Sequence, residues 1–181
     1  MSASLRPNRL LKPDEATDHI HGPASALVTL IEYGDFECPA CFQASTALKV
    51  MLPHFEDGLR HVFRHFPLRE VHPHAELAAE AAEAAGAQGQ FWPMHDLLFA
   101  NQQHLKDKHL QDYAARLGLD MARFENEMKD HVYLQRVQEH LAGGRQLALR
   151  STPAFYVNGV FTDVSFGLQH LREAIERALA A

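Results

Sequence analysis

Apolar positions along this chain follow two different periods, and the change from one to the other outlines its organisation. Residues 26–31 form an almost continuous apolar run with β-branched members, bounded by Gly22-Pro23 before and Gly34 after. This predicts a strand buried on both faces. Phe42, Ala44, Ala47, Leu48, Met51 and Leu52 then recur close to the helical period, so the spacing predicts a helix over 42–52. Pro39 suits its first turn, where a missing N–H costs nothing, and Pro53 helps to end it. Residues 59–66, with Val62 and Phe63 at the centre and Pro67 as a stop, predict a second strand. Running parallel to the first, it closes a right-handed βαβ unit.

From about 73 to 149 the period is helical throughout. Residues 74–85 are rich in Ala and Glu, both strong helix formers. Further helical segments are predicted over 91–100, 110–117, 121–128 and 133–149, with Gly86, Gly89, Gly118 and Gly143-Gly144 as punctuation. The chain then returns to β. A strand over 152–157 meets the turn signal Asn158-Gly159, followed by a short strand over 160–162. A last helix over 168–180 carries Leu171, Ile175 and Leu179 on one face. The order β-α-β, helices, β-β-α defines an α/β protein with an all-helical insertion at about 73–149. No Pro/Ser-rich linker separates the insertion, so residues 26–181 read as one domain behind an irregular leader over 1–25.

Composition narrows the function. The chain has 181 residues, 46% hydrophobic and 22% charged, with a formal net charge of −6. That is the balance of a globular protein. With no long basic run, nucleic acid is excluded as a partner. No apolar segment approaches the ~20 residues of a membrane span. Residues 1–25 carry Arg6, Arg9, Lys12, Asp14, Glu15, Asp18 and three prolines. They contain no apolar stretch of the ~7–15 residues a signal peptide needs, so a cytoplasmic location is expected. In that compartment structural disulfides are rare, and a lone cysteine pair is catalytic or metal-binding. The thirteen histidines are scattered and read as surface residues.

The two cysteines, Cys38 and Cys41, are delivered by the first strand to the start of the first helix. This is an arrangement used for thiol–disulfide exchange. Only a thiolate attacks a disulfide, and the unpaired N–H groups and dipole of a helix N-terminus favour it. Asp35 and Glu37, close in sequence, would oppose thiolate formation if turned toward the sulfur. Phe36 is the candidate groove-lining aromatic, whereas Phe91, Trp92 and Phe99 read as helix-packing core. A zinc site is a rival reading, but one Cys-x-x-Cys supplies two of the usual four ligands and His72-Pro73-His74 is isolated from it. A peptide-binding module is another.

Phe36-Glu37-Cys38-Pro39-Ala40-Cys41, the helical insertion, and Ser151-Thr152-Pro153-Ala154-Phe155 before an Asn-Gly hairpin together resemble the DsbA-like branch of the thioredoxin superfamily, from about residue 26 to 181. The resemblance implies a thioredoxin-like fold and a thiol–disulfide oxidoreductase. It implies that Cys38 is the nucleophile and Cys41 the resolving thiol. Glu32, six residues before Cys38, occupies the place of a buried acid that takes or passes the Cys41 proton. Pro153 occupies the place of a cis proline beside the cysteines, with Thr152 presenting its backbone to an extended substrate. Pro39 and Ala40 would tune the redox poise. Ala40 stands where the strongly oxidising DsbA has a histidine, which points toward reduction or isomerisation. No cofactor beyond the Cys38–Cys41 disulfide and no metal are implied. With no third cysteine, electrons would come from an external thiol, glutathione or a thioredoxin system. A glutathione-dependent transferase or isomerase of the same fold remains as an alternative, although such enzymes typically lack a counterpart of Cys41.

Overall fold

Strands that bury both faces belong inside a sheet, and that is where the two longest ones lie. The computed structural model describes residues 9–181. Strand β1 is His19–His21, β2 is Val28–Gly34 and β3 is Leu59–His65. All of β2 but Thr29, and all of β3 but Arg60, is buried. Between them run helix α1 (Pro39–Met51) and a 3-10 segment, Leu52–Gly58. Near their starts, Arg60 Nε donates to Thr29 Oγ1 at 2.8 Å. Past their ends, the Phe66 N–H donates to Gly34 O at 2.8 Å. The two strands therefore run in the same direction, as the βαβ reading requires.

Strands β4 (Ala154–Val157) and β5 (Val160–Thr162) complete a sheet of order β1-β3-β2-β4-β5. β4 is antiparallel to β2, with Leu30 opposite Val157 and Tyr33 opposite Ala154. The β4–β5 turn is Asn158-Gly159 with φ of 47° and 81°, the doubly positive geometry that tight hairpins favour. Asn158 also ties the turn to β2: its Oδ1 accepts the Thr29 N–H at 2.8 Å, and its own N–H donates to Thr29 O at 2.9 Å. Helix α7 (Gln169–Leu179) packs on β4 and β5 and buries Leu171 and Ile175.

The reading of residues 1–25 as irregular needs correction where the structure describes them; residues 1–8 lie outside the described residues. Arg9–Leu11 is a 3-10 turn and β1 is a strand, antiparallel to β3 with Ile20 opposite Val62. A buried arginine organises this segment. Arg64 in β3 donates to both carboxylate oxygens of Asp18 at 2.9 and 2.7 Å, to Lys12 O at 2.9 Å, to Tyr33 Oη at 3.2 Å, and to Leu10 O.

The helices between β3 and β4 are α2 (Ala75–Gly86), α3 (Phe91–Ala100), α4 (Asp107–Arg116), α5 (Met121–Lys129) and α6 (Leu134–Gln146). α2 packs against α3, α4, α5 and α6, and its residues from Ala78 to Ala85 are all buried. A helix covered on every side must present small residues, which explains its alanines. By contacts the chain divides into two compact units. One holds the described residues up to Tyr33 together with Thr46–Arg64 and Pro153–Ala181; the other holds Gly34–Ser45 with His65–Thr152.

Candidate redox site

Helix α1 opens at Pro39, so Cys38 occupies the capping position before it. The Cys38 carbonyl accepts the first helical bond from Phe42 N–H at 3.2 Å, and the Cys38 N–H donates to Asp35 O at 3.2 Å. Pro39, in the first helical position, has no N–H to leave unpaired. The N–H groups of Ala40 and Cys41, in the first turn, are directed to the Cys38 sulfur. The two thiols are unbridged. Cys38 is 6% exposed and Cys41 0%, so what access there is belongs to Cys38. Pro39 and Ala40 are exposed.

The Cys38 thiol donates to Thr152 O at 3.5 Å. Its pKa is lowered to about 5, chiefly by a hydrogen bond from the Cys41 thiol. Burial opposes this shift, while the Thr152 side chain and the N–H groups of Cys41 and Ala40 reinforce it. Ala40 therefore contributes through its backbone, although its side chain offers nothing. A buried partner thiol one helical turn inside, aimed at a thiolate at the helix start, has the chemistry of a nucleophile with a resolving group behind it.

The two acids beside the motif do not act as expected from their proximity in sequence. The buried Asp35 carboxylate accepts from Glu37 N–H, Leu68 N–H and His72 Nδ1, each at 2.8 Å. Glu37 accepts from His74 N–H at 2.7 Å. Both are spent on fastening the loop after β3. Phe36 is also corrected. At 1% exposure it is core, with Phe99 at 4.9 Å and His95 at 5.7 Å between ring centroids, and cannot line a groove. Phe91 and Phe99 are buried, as their core reading required.

Glu32, in β2, is 1% exposed, and its Oε2 pairs with Nε2 of the equally buried His61 on β3 at 2.8 Å. Pro153 and Thr152 are half-buried, and β4 begins directly after them. Sequence reasoning missed His61, and it missed Gln102, whose Nε2 donates to Phe36 O and to Cys38 O at 2.8 Å each. Neither has a local pattern to announce it. It also assigned the histidines to the surface, yet His61, His65, His95 and His140 are buried. His65, Glu83 and His140 converge within 4.8 Å and have the donor types of a metal site. Their atoms are already engaged: His65 Nε2 with Glu83 Oε1 at 2.8 Å, and His140 Nδ1 as acceptor of the His65 N–H at 3.2 Å. This grouping does not include the cysteines. No helix among the described residues is long and apolar enough to cross a membrane.

The sequence matches the thioredoxin family over residues 14–177. It is 46% identical over 167 residues to a Na(+)/H(+) antiporter NhaA 1 of Salinispora arenicola, covering 92% of this chain and 26% of that protein. It is 44% identical over 146 residues to the Na(+)/H(+) antiporter NhaA of Herminiimonas arsenicoxydans, covering 81% and 23%. The chain thus spans about a quarter of the length of the curated relatives it matches. Among solved structures, a thioredoxin-like oxidoreductase from Silicibacter pomeroyi superposes with a TM-score of 0.81 at 23% identity, covering 97% of this chain and 98% of that one. BdbD from Bacillus subtilis gives 0.78 at 21% identity, covering 93% and 96%. Alpha-DsbA1 from Wolbachia pipientis gives 0.78 at 19%, covering 96% of each chain. The chain belongs to the thioredoxin family and has the fold of its DsbA-like members.

Proposed function

We propose that the protein exchanges electrons with disulfides through Cys38 and Cys41. The observation that carries this reading is the placement of Cys38 at the start of α1 with the wholly buried Cys41 thiol one turn inside, which lowers the Cys38 thiol to about 5. At neutral pH Cys38 is a thiolate. It attacks a substrate disulfide, forming a Cys38–substrate bond as the other substrate sulfur leaves and takes up a proton. Cys41 then loses its proton and attacks Cys38 Sγ, releasing the second substrate thiol and closing Cys38–Cys41. Two electrons pass to the substrate, and two external thiols such as glutathione return them. The cycle runs backwards when substrate thiols meet the oxidised pair.

For the proton of Cys41 we propose Glu32, buried against His61, as the acceptor. Thr152 and Pro153 are the proposed backbone contact for an extended substrate. A Cys38 pKa near 5 lies between thioredoxin, about 7, and DsbA, about 3.5. The pair should accordingly be more oxidising than thioredoxin and less than DsbA, a poise suited to isomerisation and general exchange. In the cytoplasmic setting expected from the sequence, the glutathione pool would keep most of it reduced. For the longer relatives named as antiporters, this reading concerns only the quarter of the chain matched here.

The test is trapping. The Cys41→Ser variant, which cannot resolve, is expected to accumulate mixed disulfides on Cys38 when mixed with oxidised glutathione or a disulfide-bonded peptide, seen as added mass. Wild type should release them, and Cys38→Ser should form none. Absence of any adduct on Cys41→Ser would remove the proposal.

A further inference from the structure

Gln102 lies outside the Cys-x-x-Cys motif by more than sixty residues, yet its side chain reaches the motif's backbone. Both of its amide bonds go there: Nε2 donates to Phe36 O and to Cys38 O, each at 2.8 Å. A Gln amide has two N–H donors, so this group is fully used. The turn that carries it is itself fixed. Asn101 Nδ2 donates to Leu97 O at 2.7 Å, Asn101 N–H to Leu98 O at 3.2 Å, and His104 N–H to Asn101 O at 2.8 Å. The preceding helix α3 is anchored by buried Met94, Leu98 and Phe99, the last packed on Phe36.

We infer that Gln102 is a positioning residue for Cys38, fixing the capping peptide whose orientation turns Sγ toward the first-turn N–H groups of α1. The inference rests on the redox reading of Cys38 and adds the helical part of the chain to it. The physical reason is geometric. Cys38 O accepts both from Phe42 N–H and from Gln102, so both of its lone pairs are engaged and rotation of that peptide is resisted. Phe36 O holds the preceding peptide in the same way. The donors that stabilise the thiolate, the Cys41 thiol and the N–H groups of Ala40 and Cys41, act only while Sγ stays in that direction. Hydrogen bonds weaken steeply once their angle bends.

The experiment is a thiolate titration by absorbance at 240 nm on the reduced full chain, with the glutathione equilibrium measured alongside. Gln102→Met keeps the length of the side chain and removes both donors; Gln103→Met, at an exposed neighbouring position, is the control. The expected result is a rise of the Cys38 midpoint by about half a unit or more in Gln102→Met, with a more reducing equilibrium and no change in Gln103→Met. A Gln102→Met variant with a lower melting temperature but an unmoved midpoint would overturn the positioning role. If that variant does not fold, Gln102→Leu, which is uncharged and also lacks the donors, is read by the same two outcomes. A wild-type chain with no low-pH thiolate would instead defeat the redox reading itself.

Discussion

At Cys38 two opposing effects meet: burial, which resists charge, and a set of short-range donors, which favour it. The donors win because the first among them, the Cys41 thiol, is itself wholly buried and has no water to prefer. Replacing Cys41 with Ala removes that donor and is expected to raise the Cys38 midpoint by at least about 1 unit, whereas Cys41→Ser keeps a hydroxyl donor and should move it less. Absorbance at 240 nm against pH measures both. The same shift makes stability depend on pH. A thiol lowered on folding contributes stability fully present above its unfolded value and lost as pH falls through the folded one. The reduced protein should therefore gain stability between pH about 5 and about 9 relative to Cys38→Ser, read by urea denaturation at several pH values. Flat curves for both would contradict the assignment.

At the scale of elements, two buried charges fasten segments that periodicity cannot connect. Asp35 serves two backbone N–H groups and His72. Asp35→Ala leaves those donors without their acceptor and is expected to cost roughly 3 kcal/mol, in the range of charged hydrogen bonds lost from a buried site. Arg64 pins the segment from Leu10 to Asp18. Arg64→Met strands the Asp18 carboxylate, whose side chain is 2% exposed, and is expected to cost roughly 3–5 kcal/mol. Chemical denaturation checks both.

These two residues also show where the sequence was legible and where it was not. β2, β3, the hairpin at Asn158-Gly159 and the helices from α2 to α6 announce themselves by local period, and their predicted limits lie within a few residues of the observed ones. Strand β1 does not, because three residues are too few for a period and its placement depends on an ion pair spanning 46 residues. Phe36 illustrates the opposite error. Its closeness to the cysteines in sequence suggested a surface role, whereas the turn between β2 and α1 carries it into the aromatic core around Phe99. His61 and Gln102 are single residues from distant segments, and only the fold brings them to Glu32 and to the Cys38 peptide.

At the scale of the molecule, the fold uses two kinds of core. Aromatic and branched side chains fill the sheet unit around Tyr33, Phe63 and Phe155, while alanines from α2 let four helices approach in the other. The second is the less forgiving. Ala82→Leu adds bulk where exposure is 0% and is expected to destabilise by about 1–3 kcal/mol through overpacking, seen as a lowered denaturation midpoint. The central claim, however, is that this scaffold holds a reversible dithiol–disulfide pair of intermediate poise. Equilibration of the Cys38–Cys41 pair with glutathione buffers tests it most directly. The pair is expected to show a reversible two-electron transition at a potential between about −270 mV, the thioredoxin level, and about −120 mV, the DsbA level. A potential below the thioredoxin level, or no reversible equilibrium at all, would contradict it.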